Sequence, residues 1–221
     1  MKTIKVRYNS EIPEGFTGIV EYPNGTKKWY LNRKYHRVDG PAVEDADGGK
    51  EWFLNGQYHR EDGPAREWAD GEKQWYLNGE LHRVDGPARE WADGSKEWWL
   101  NGQRHRVDGP AIEYPDGTKQ WFLNGKLHRV DGPAIEHSDG SKEWWLNGQL
   151  HRTDGPAYGG ADGLKQWWLN GEFSYKLEPI GDYILIEDGL PSEVEWLGEQ
   201  VTQRKVLTEK GFMYIPNLPG I

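Results

Sequence analysis

Gln74-Trp75-Tyr76-Leu77-Asn78-Gly79-Glu80-Leu81-His82-Arg83-Val84-Asp85-Gly86-Pro87-Ala88 decides how this chain folds, because it is one copy of a unit that returns down most of the sequence. Its tryptophan recurs at Trp29, Trp52, Trp75, Trp98, Trp121, Trp144 and Trp167, always 23 residues apart. A strict period of this length marks a repeat array, in which each copy packs mainly on its neighbours. Residues 16–171 hold seven copies, the first of them degenerate: Glu21, Tyr22, Gly25, Trp29 and Asn32 align, but Gly-Pro-Ala is missing. Atypical end copies act as caps.

Each copy reads as antiparallel strands bounded by turns. Ala88-Arg89-Glu90-Trp91, then Asp93-Gly94, then Lys96-Glu97-Trp98-Trp99-Leu100 form one hairpin. Asn101-Gly102 forms a second turn before Gln103-Arg104-His105-Arg106, and Asp108-Gly109-Pro110 breaks the chain, since proline cannot donate to a ladder. A two-residue type I′ turn at Asp93-Gly94 sets Trp91 against Lys96, Glu90 against Glu97 and Arg89 against Trp98. Glu90 opposite Glu97 is unfavourable, but the equivalent pair in the neighbouring unit is Glu67 with Gln74, which removes the objection; a three-residue loop that shifts the register is the alternative. The position alternates along the chain as Glu51, Gln74, Glu97, Gln120, Glu143, Gln166, which suggests that neighbouring repeats meet in pairs. The expected fold is all-β: an elongated, single-layer antiparallel hairpin ribbon or solenoid. With strands about 4.8 Å apart, like residues recur roughly every 10 Å.

Two end pieces flank the array. Residues 1–15 read as an N-terminal edge strand, Ile4-Lys5-Val6-Arg7-Tyr8, stopped by Pro13. Residues 172–221 read as a small mixed C-terminal cap. Phe173–Leu177 and Tyr183–Ile186 look like strands, and Val201–Leu207 extends either a strand or a helix. Ser192 with Glu195 resembles a capping box that opens a short helix through Trp196 and Leu197, and the tail from Phe212 to Ile221 looks extended.

Composition narrows the function classes. Only 35% of residues are hydrophobic, but 13 Trp, 11 Tyr and 5 Phe supply large buried areas per side chain. A net charge of −9 with both signs interspersed argues against general nucleic-acid binding, which needs a basic footprint. The absence of cysteine excludes disulfides and thiolate metal sites. Met1–Arg7 lacks the apolar core of a signal peptide and no long apolar run could span a membrane, so the expected location is the cytoplasm.

Several columns carry chemistry-bearing groups. His36, His59, His82, His105, His128 and His151 each precede an arginine, but residues one repeat apart are too distant to share a mononuclear metal site. Each is expected to hydrogen-bond a turn and pack on the Trp opposite it, with His137 out of phase and exposed. Arg83, Arg106, Arg129 and their equivalents stand two residues before an Asp. They read either as Arg–Asp clasps around the turn or as an arginine column gripping phosphates or a partner's carboxylates. Glu67, Glu90, Glu113 and Glu136 offer the same environment several times over, whereas catalysis needs one asymmetric cleft. No enzyme, metal site or cofactor is therefore expected. Tyr76, Trp99, Phe122, Trp145 and Trp168 form an aromatic column that either stacks between repeats or, with Arg83, Arg106 and Arg129, presents a binding face.

Trp75-Tyr76-Leu77-Asn78-Gly79 followed by Asp85-Gly86-Pro87, at 23-residue spacing, resembles the MORN-type repeat in its shorter bacterial and viral variant. The resemblance implies stacked β-hairpins and a role in scaffolding, dimerisation or membrane association, or, for the short bacterial form, antitoxin activity. His-Arg and Asp-Gly-Pro-Ala depart from the simpler Gly motifs of many relatives. The function expected is a non-enzymatic protein-binding module, antitoxin-like or a phage counter-defence inhibitor acting by occlusion in the cytoplasm, the host's if phage-encoded. Its partner is another protein or a second copy. The alternatives are carbohydrate or choline binding through an aromatic ladder, as in cell-wall repeats with a similar Trp-aromatic-Leu-Asn hairpin, and a self-assembling scaffold.

Overall fold

The computed structural model describes the backbone of residues 2–174, with side chains to residue 173, and the strands Pro179–Ile180, Tyr183–Ile184, Glu193–Trp196, Glu199–Thr208 and Gly211–Pro216. The chain divides into two compact units, Met1–Phe173 and Ser174–Ile221. The first is all-β, built on one 17-stranded sheet with small two-stranded ribbons beside it.

Each 23-residue copy makes two hairpins. In one copy, Arg89–Glu90 and Lys96–Glu97 pair within the large sheet, and Lys96–Glu97 pairs onward with Ile112–Glu113 of the next copy. Trp99–Leu100 and Gln103–Arg104 form the second, a rim hairpin. Trp98 separates the two: its N–H donates to the Ala111 carbonyl (2.8 Å), and its carbonyl accepts from His105 N–H (3.0 Å). Rim hairpins are tied to one another as well, with Gly102 N–H donating to Leu81 O and Arg83 N–H to Trp99 O, both at 3.0 Å. The array is thus bonded along both the sheet and the rim.

The two turns differ, and the difference fixes the register. Asn101 (φ 50°) and Gly102 (φ 71°) both lie in the left-handed region, so the rim turn is the expected two-residue type I′. At the sheet turn only Gly94 (φ 91°) does. Gly94 N–H donates to Trp91 O, Trp91 N–H to Ser95 O, and Asp93 Oδ1 accepts from Ser95 N–H (2.8 Å). This is a three-residue loop with a glycine bulge and an Asx turn. The two-residue alternative, with Trp91 facing Lys96 and Glu90 facing Glu97, is overturned: Glu90 faces Lys96 and Arg89 faces Glu97. One face therefore carries a ladder of opposite charges. Glu67, Glu90, Glu113 and Glu136 each lie between two lysines on the neighbouring strands.

The other face is the core. Val43, Ile112 and Ile135 are buried there, and Ala42, Ala65, Ala88, Ala111, Ala134 and Ala157, each one residue before a strand, are completely buried. Gln74 (1% exposed) and Glu97 (6%) are also inside. Gln74 Oε1 accepts from Tyr76 Oη (3.0 Å), and Glu97 Oε2 accepts from Trp99 Nε1 (2.7 Å). Where the residue is Glu, a cation stands near it: Arg66 Nε 3.4 Å from Glu51, Arg104 Nε 3.6 Å from Glu97, His137 Nε2 2.9 Å from Glu143. A buried carboxylate requires such a neighbour and an amide does not. His137 is accordingly half-buried and paired, against the expectation of exposure. The sealed Nε atoms of Arg66 and Arg104 make no directional hydrogen bond, so these pairs act as charge neighbours only.

At the N-terminus Thr3–Lys5 adds to the sheet edge in parallel with Gly18–Glu21. Val6, Ile12, Phe16, Val20 and Tyr30 form a small apolar cluster beneath it, in the place where the degenerate first copy lacks Gly-Pro-Ala. The second unit is a sheet of its own, ordered Pro179–Ile180, Tyr183–Ile184, Gly211–Pro216, Glu199–Thr208, Glu193–Trp196. The expected helix after Ser192 is a strand instead, because Glu193–Trp196 pairs residue for residue with Glu199–Thr202. Residues 175–178, 185–186, 197 and 217–221, on which other expected ends of strands, helix and tail fall, lie outside the described residues.

Candidate interaction edge

The edge that bears the Asp-Gly-Pro turns is organised by arginine. Arg83 Nε donates to Asp85 Oδ1 (3.0 Å), and Nη1 donates to Pro87 O (3.1 Å) and Glu90 Oε1 (3.3 Å). Its guanidinium lies 4.1 Å from the centre of the Trp75 ring. The opposite side of the guanidinium touches Gly86, where a Cβ would stand 2.9 Å from Arg83 Cζ. Glycine is needed there for space, not for its φ. Trp75 and Gly86 thus hold a flat cation between them while three acceptors fix its fork. Arg37, Arg60, Arg106 and Arg129 repeat the arrangement.

The arginine holds the carboxyl of Asp85 below the usual aspartate range, chiefly by the hydrogen bond it donates, and does the same for Asp39, Asp62 and Asp108. These carboxylates are nonetheless open to solvent, about 85% exposed on the side chain. Of the two roles open to Arg83, Arg106 and Arg129, the geometry realises the clasp; their Nε and Nη1 atoms already serve the repeat.

The histidines act between repeats. His82 Nδ1 accepts the backbone N–H of Asn101, the left-handed residue of the next rim turn (3.2 Å), and the same bond joins His36–Asn55, His59–Asn78, His105–Asn124, His128–Asn147 and His151–Asn170. Each His therefore holds a turn, but that of the following copy. The same Nδ1 lies 2.9 Å from the side-chain Oδ1 of Asn101, so the imidazole meets both the backbone and the side chain of that residue. Among the described residues no three His, Asp or Glu side chains converge as a metal site, and no helix is long and apolar enough to cross a membrane.

The aromatic candidates occupy the inner side. Tyr76 stacks on Tyr58 (5.0 Å), which packs on Phe53 (4.1 Å), and so on through Tyr35 and Tyr30 to Phe16. Further along, Arg104 inserts between Trp99 (5.1 Å) and Phe122 (5.5 Å). Trp145 Nε1 is taken by Glu143 (2.8 Å), Trp168 Nε1 by Gln166 (3.2 Å), and Trp168 meets Phe173 edge-on. Tyr76, Trp99, Phe122, Trp145 and Trp168 are half-buried; Tyr76 stacks on a ring of the preceding copy, Trp99 and Phe122 share Arg104, and Trp145 and Trp168 bond within their own strands. They do not share a surface with Arg83, Arg106 and Arg129, which stand against the other column, Trp75, Trp98 and Trp121.

What the edge does present is a row of grooves. Four successive ones open between neighbouring Asp-Gly-Pro turns, each lined by an indole, a leucine, a histidine and two clasped arginines; Trp98, Leu100, His105, Arg83 and Arg106 line one of them. Val84, Val107 and Val130 stand on the ridges between, 81–83% exposed. Sequence reasoning passed over these valines; the signal was an apolar residue repeated between Arg and Asp, inside a turn where polar residues are usual. No known family model matches the chain, and no curated protein matches it as a relative.

Proposed function

We propose that this chain is a non-enzymatic protein-binding module that engages its partner along the grooved edge. The observation carrying this reading is the in-register row of exposed Val84, Val107 and Val130 over equivalent grooves. Apolar side chains aligned at a regular interval on a polar surface mark a docking face. The same environment offered repeatedly suits an extended contact better than chemistry at one centre. The resemblance to short MORN-type repeats supports a finer version, in which the partner is a toxin or defence enzyme occluded in the cytoplasm. Binding of choline or sugars on the Trp75 column is disfavoured, since Arg83 already covers the ring face that a ligand cation would need.

The test is affinity capture with the intact chain against a variant carrying Val84→Lys, Val107→Lys and Val130→Lys. These positions are exposed, so the fold should survive. A stoichiometric protein partner lost with the triple variant supports the reading. Failure to recover any, or equal recovery by both forms, removes it.

A further inference from the structure

The Glu ladder breaks once, at Gly159. In the five preceding copies a glutamate sits seven residues after the clasp arginine and accepts from its Nη1: Arg37–Glu44 3.1 Å, Arg60–Glu67 3.2 Å, Arg83–Glu90 3.3 Å, Arg106–Glu113 3.0 Å, Arg129–Glu136 2.9 Å. In the sixth the residue seven after Arg152 is Gly159. The rest of the clasp is kept: Arg152 Nε donates to Asp154 Oδ1 (2.8 Å), and the guanidinium lies 4.1 Å over the Trp144 ring. Without the glutamate, the bond from Nη1 to Pro156 O is 3.4 Å, where the other five copies have 3.1 Å.

Two more cations face the same point. Gly159 is paired across the sheet with Lys142 on one side and Lys165 on the other, just as each ladder glutamate is flanked by two lysines. Among the described residues nothing fills the place of the side chain, since a Cβ on Gly159 would meet no atom within 4 Å. The nearby carboxylate of Asp162 is engaged by the Leu164 N–H (2.9 Å).

We propose that this gap is a binding site for a carboxylate presented from outside the repeat, the side chain of an acidic peptide segment. The array itself supplies the geometry. An oxygen placed where Glu136 Oε1 stands relative to Arg129 would meet Arg152 Nη1 at hydrogen-bond distance, between two lysines. The preformed fork and the ring beneath it cost no reorganisation, which is what distinguishes this point from the lysines elsewhere on the sheet. The inference differs from the groove proposal in its ligand chemistry and in its use of Gly159, Lys142 and Lys165, although Arg152 also lines the last groove.

The experiment is a nuclear magnetic resonance titration of the full chain with an acetylated, amidated Gly-Glu-Gly peptide, its Gly-Gln-Gly counterpart, and inorganic phosphate. The Glu peptide should give saturable shifts at the Arg152 Nε–H and the Gly159 amide, with none at Arg129, whose carboxylate is already in place. The Gln peptide should bind roughly tenfold more weakly, the worth of about one charge-assisted bond over a neutral one. Gly159→Glu should abolish the response by filling the site from within. Shifts of equal size at Arg129, persistence in Gly159→Glu, or no saturable change would overturn the assignment. Stronger binding of phosphate than of the Glu peptide would overturn its carboxylate identity.

Discussion

Replacing Arg106 by lysine separates the clasp from mere charge. Arg106 donates to Pro110 O (3.1 Å) and Glu113 Oε1 (3.0 Å) and lies 4.0 Å over Trp98, with its side chain 22% exposed. Lysine keeps the charge but has neither the planar face nor the fork. It can reach one acceptor at a time. Losing the half-buried bond to the Pro110 carbonyl costs about 1–1.5 kcal/mol, and losing the stack about 0.5–1 kcal/mol. The ion pair with solvent-exposed Asp108 adds nothing to this figure. Arg106→Lys should therefore destabilise by about 2 kcal/mol, a fall of roughly 4–8 °C in the thermal midpoint for a chain of this size. Near-ultraviolet circular dichroism of the tryptophans is the assay. Asp108→Asn, which removes charge but not the stack or the Pro110 bond, should leave the midpoint within about 1 °C as an exposed-pair change. If Asp108→Asn costs as much as Arg106→Lys, or if lysine is tolerated, the sandwich of Trp98, guanidinium and Gly109 is not what secures the edge.

Other perturbations probe separate parts of the design. Gly109→Ala puts a Cβ 2.9 Å from the pinned Arg106 Cζ and should cost about 1–3 kcal/mol by overpacking, read by the same melt. Asn101→Ala should cost about 1 kcal/mol at its φ of 50°, and Asn101→Gly distinctly less, because only the first suffers the left-handed penalty. Burial raises the phenol pKa of Tyr30, Tyr58 and Tyr76, helped at Tyr58 by the Glu51 carboxylate. A raised folded value means stability that is complete below the unfolded value of about 10 and is lost as pH climbs from there through the folded one. Absorbance at the phenolate band should then show these three tyrosines ionising only as the array melts in alkali; free titration near pH 10 in the folded chain would contradict the packing.

Much of this was readable from residue order. The period gave the array, and Asn-Gly gave the rim turn, because two adjacent residues tolerant of positive φ leave little choice. Asp93-Gly94 was ambiguous for a physical reason. The same pair suits a type I′ turn or a loop in which only Gly94 is left-handed, and the choice lay with the bond from Ser95 N–H to Asp93. The capping signal at Ser192 and Glu195 was real but local, and strand pairing with Glu199–Thr202 outweighed it. Whether the Tyr76 column stacked or lay open depended on which residues entered between its rings, Tyr58 on one side and Arg104 further on, and no local rule gives that. Gly159 was visible as a missing glutamate, yet its meaning needed the distance from Arg129 to Glu136 as a standard.

The bond from each His to the Asn of the following rim turn spans 19 residues, so no copy contains its own fastening. Each unit arrives half-finished and is completed by the one before it. Excising or duplicating a block of 23 residues rejoins like to like at every such junction, while any other length leaves a histidine facing the wrong backbone. The reach of this protein can therefore change by whole steps without redesign, and by nothing smaller.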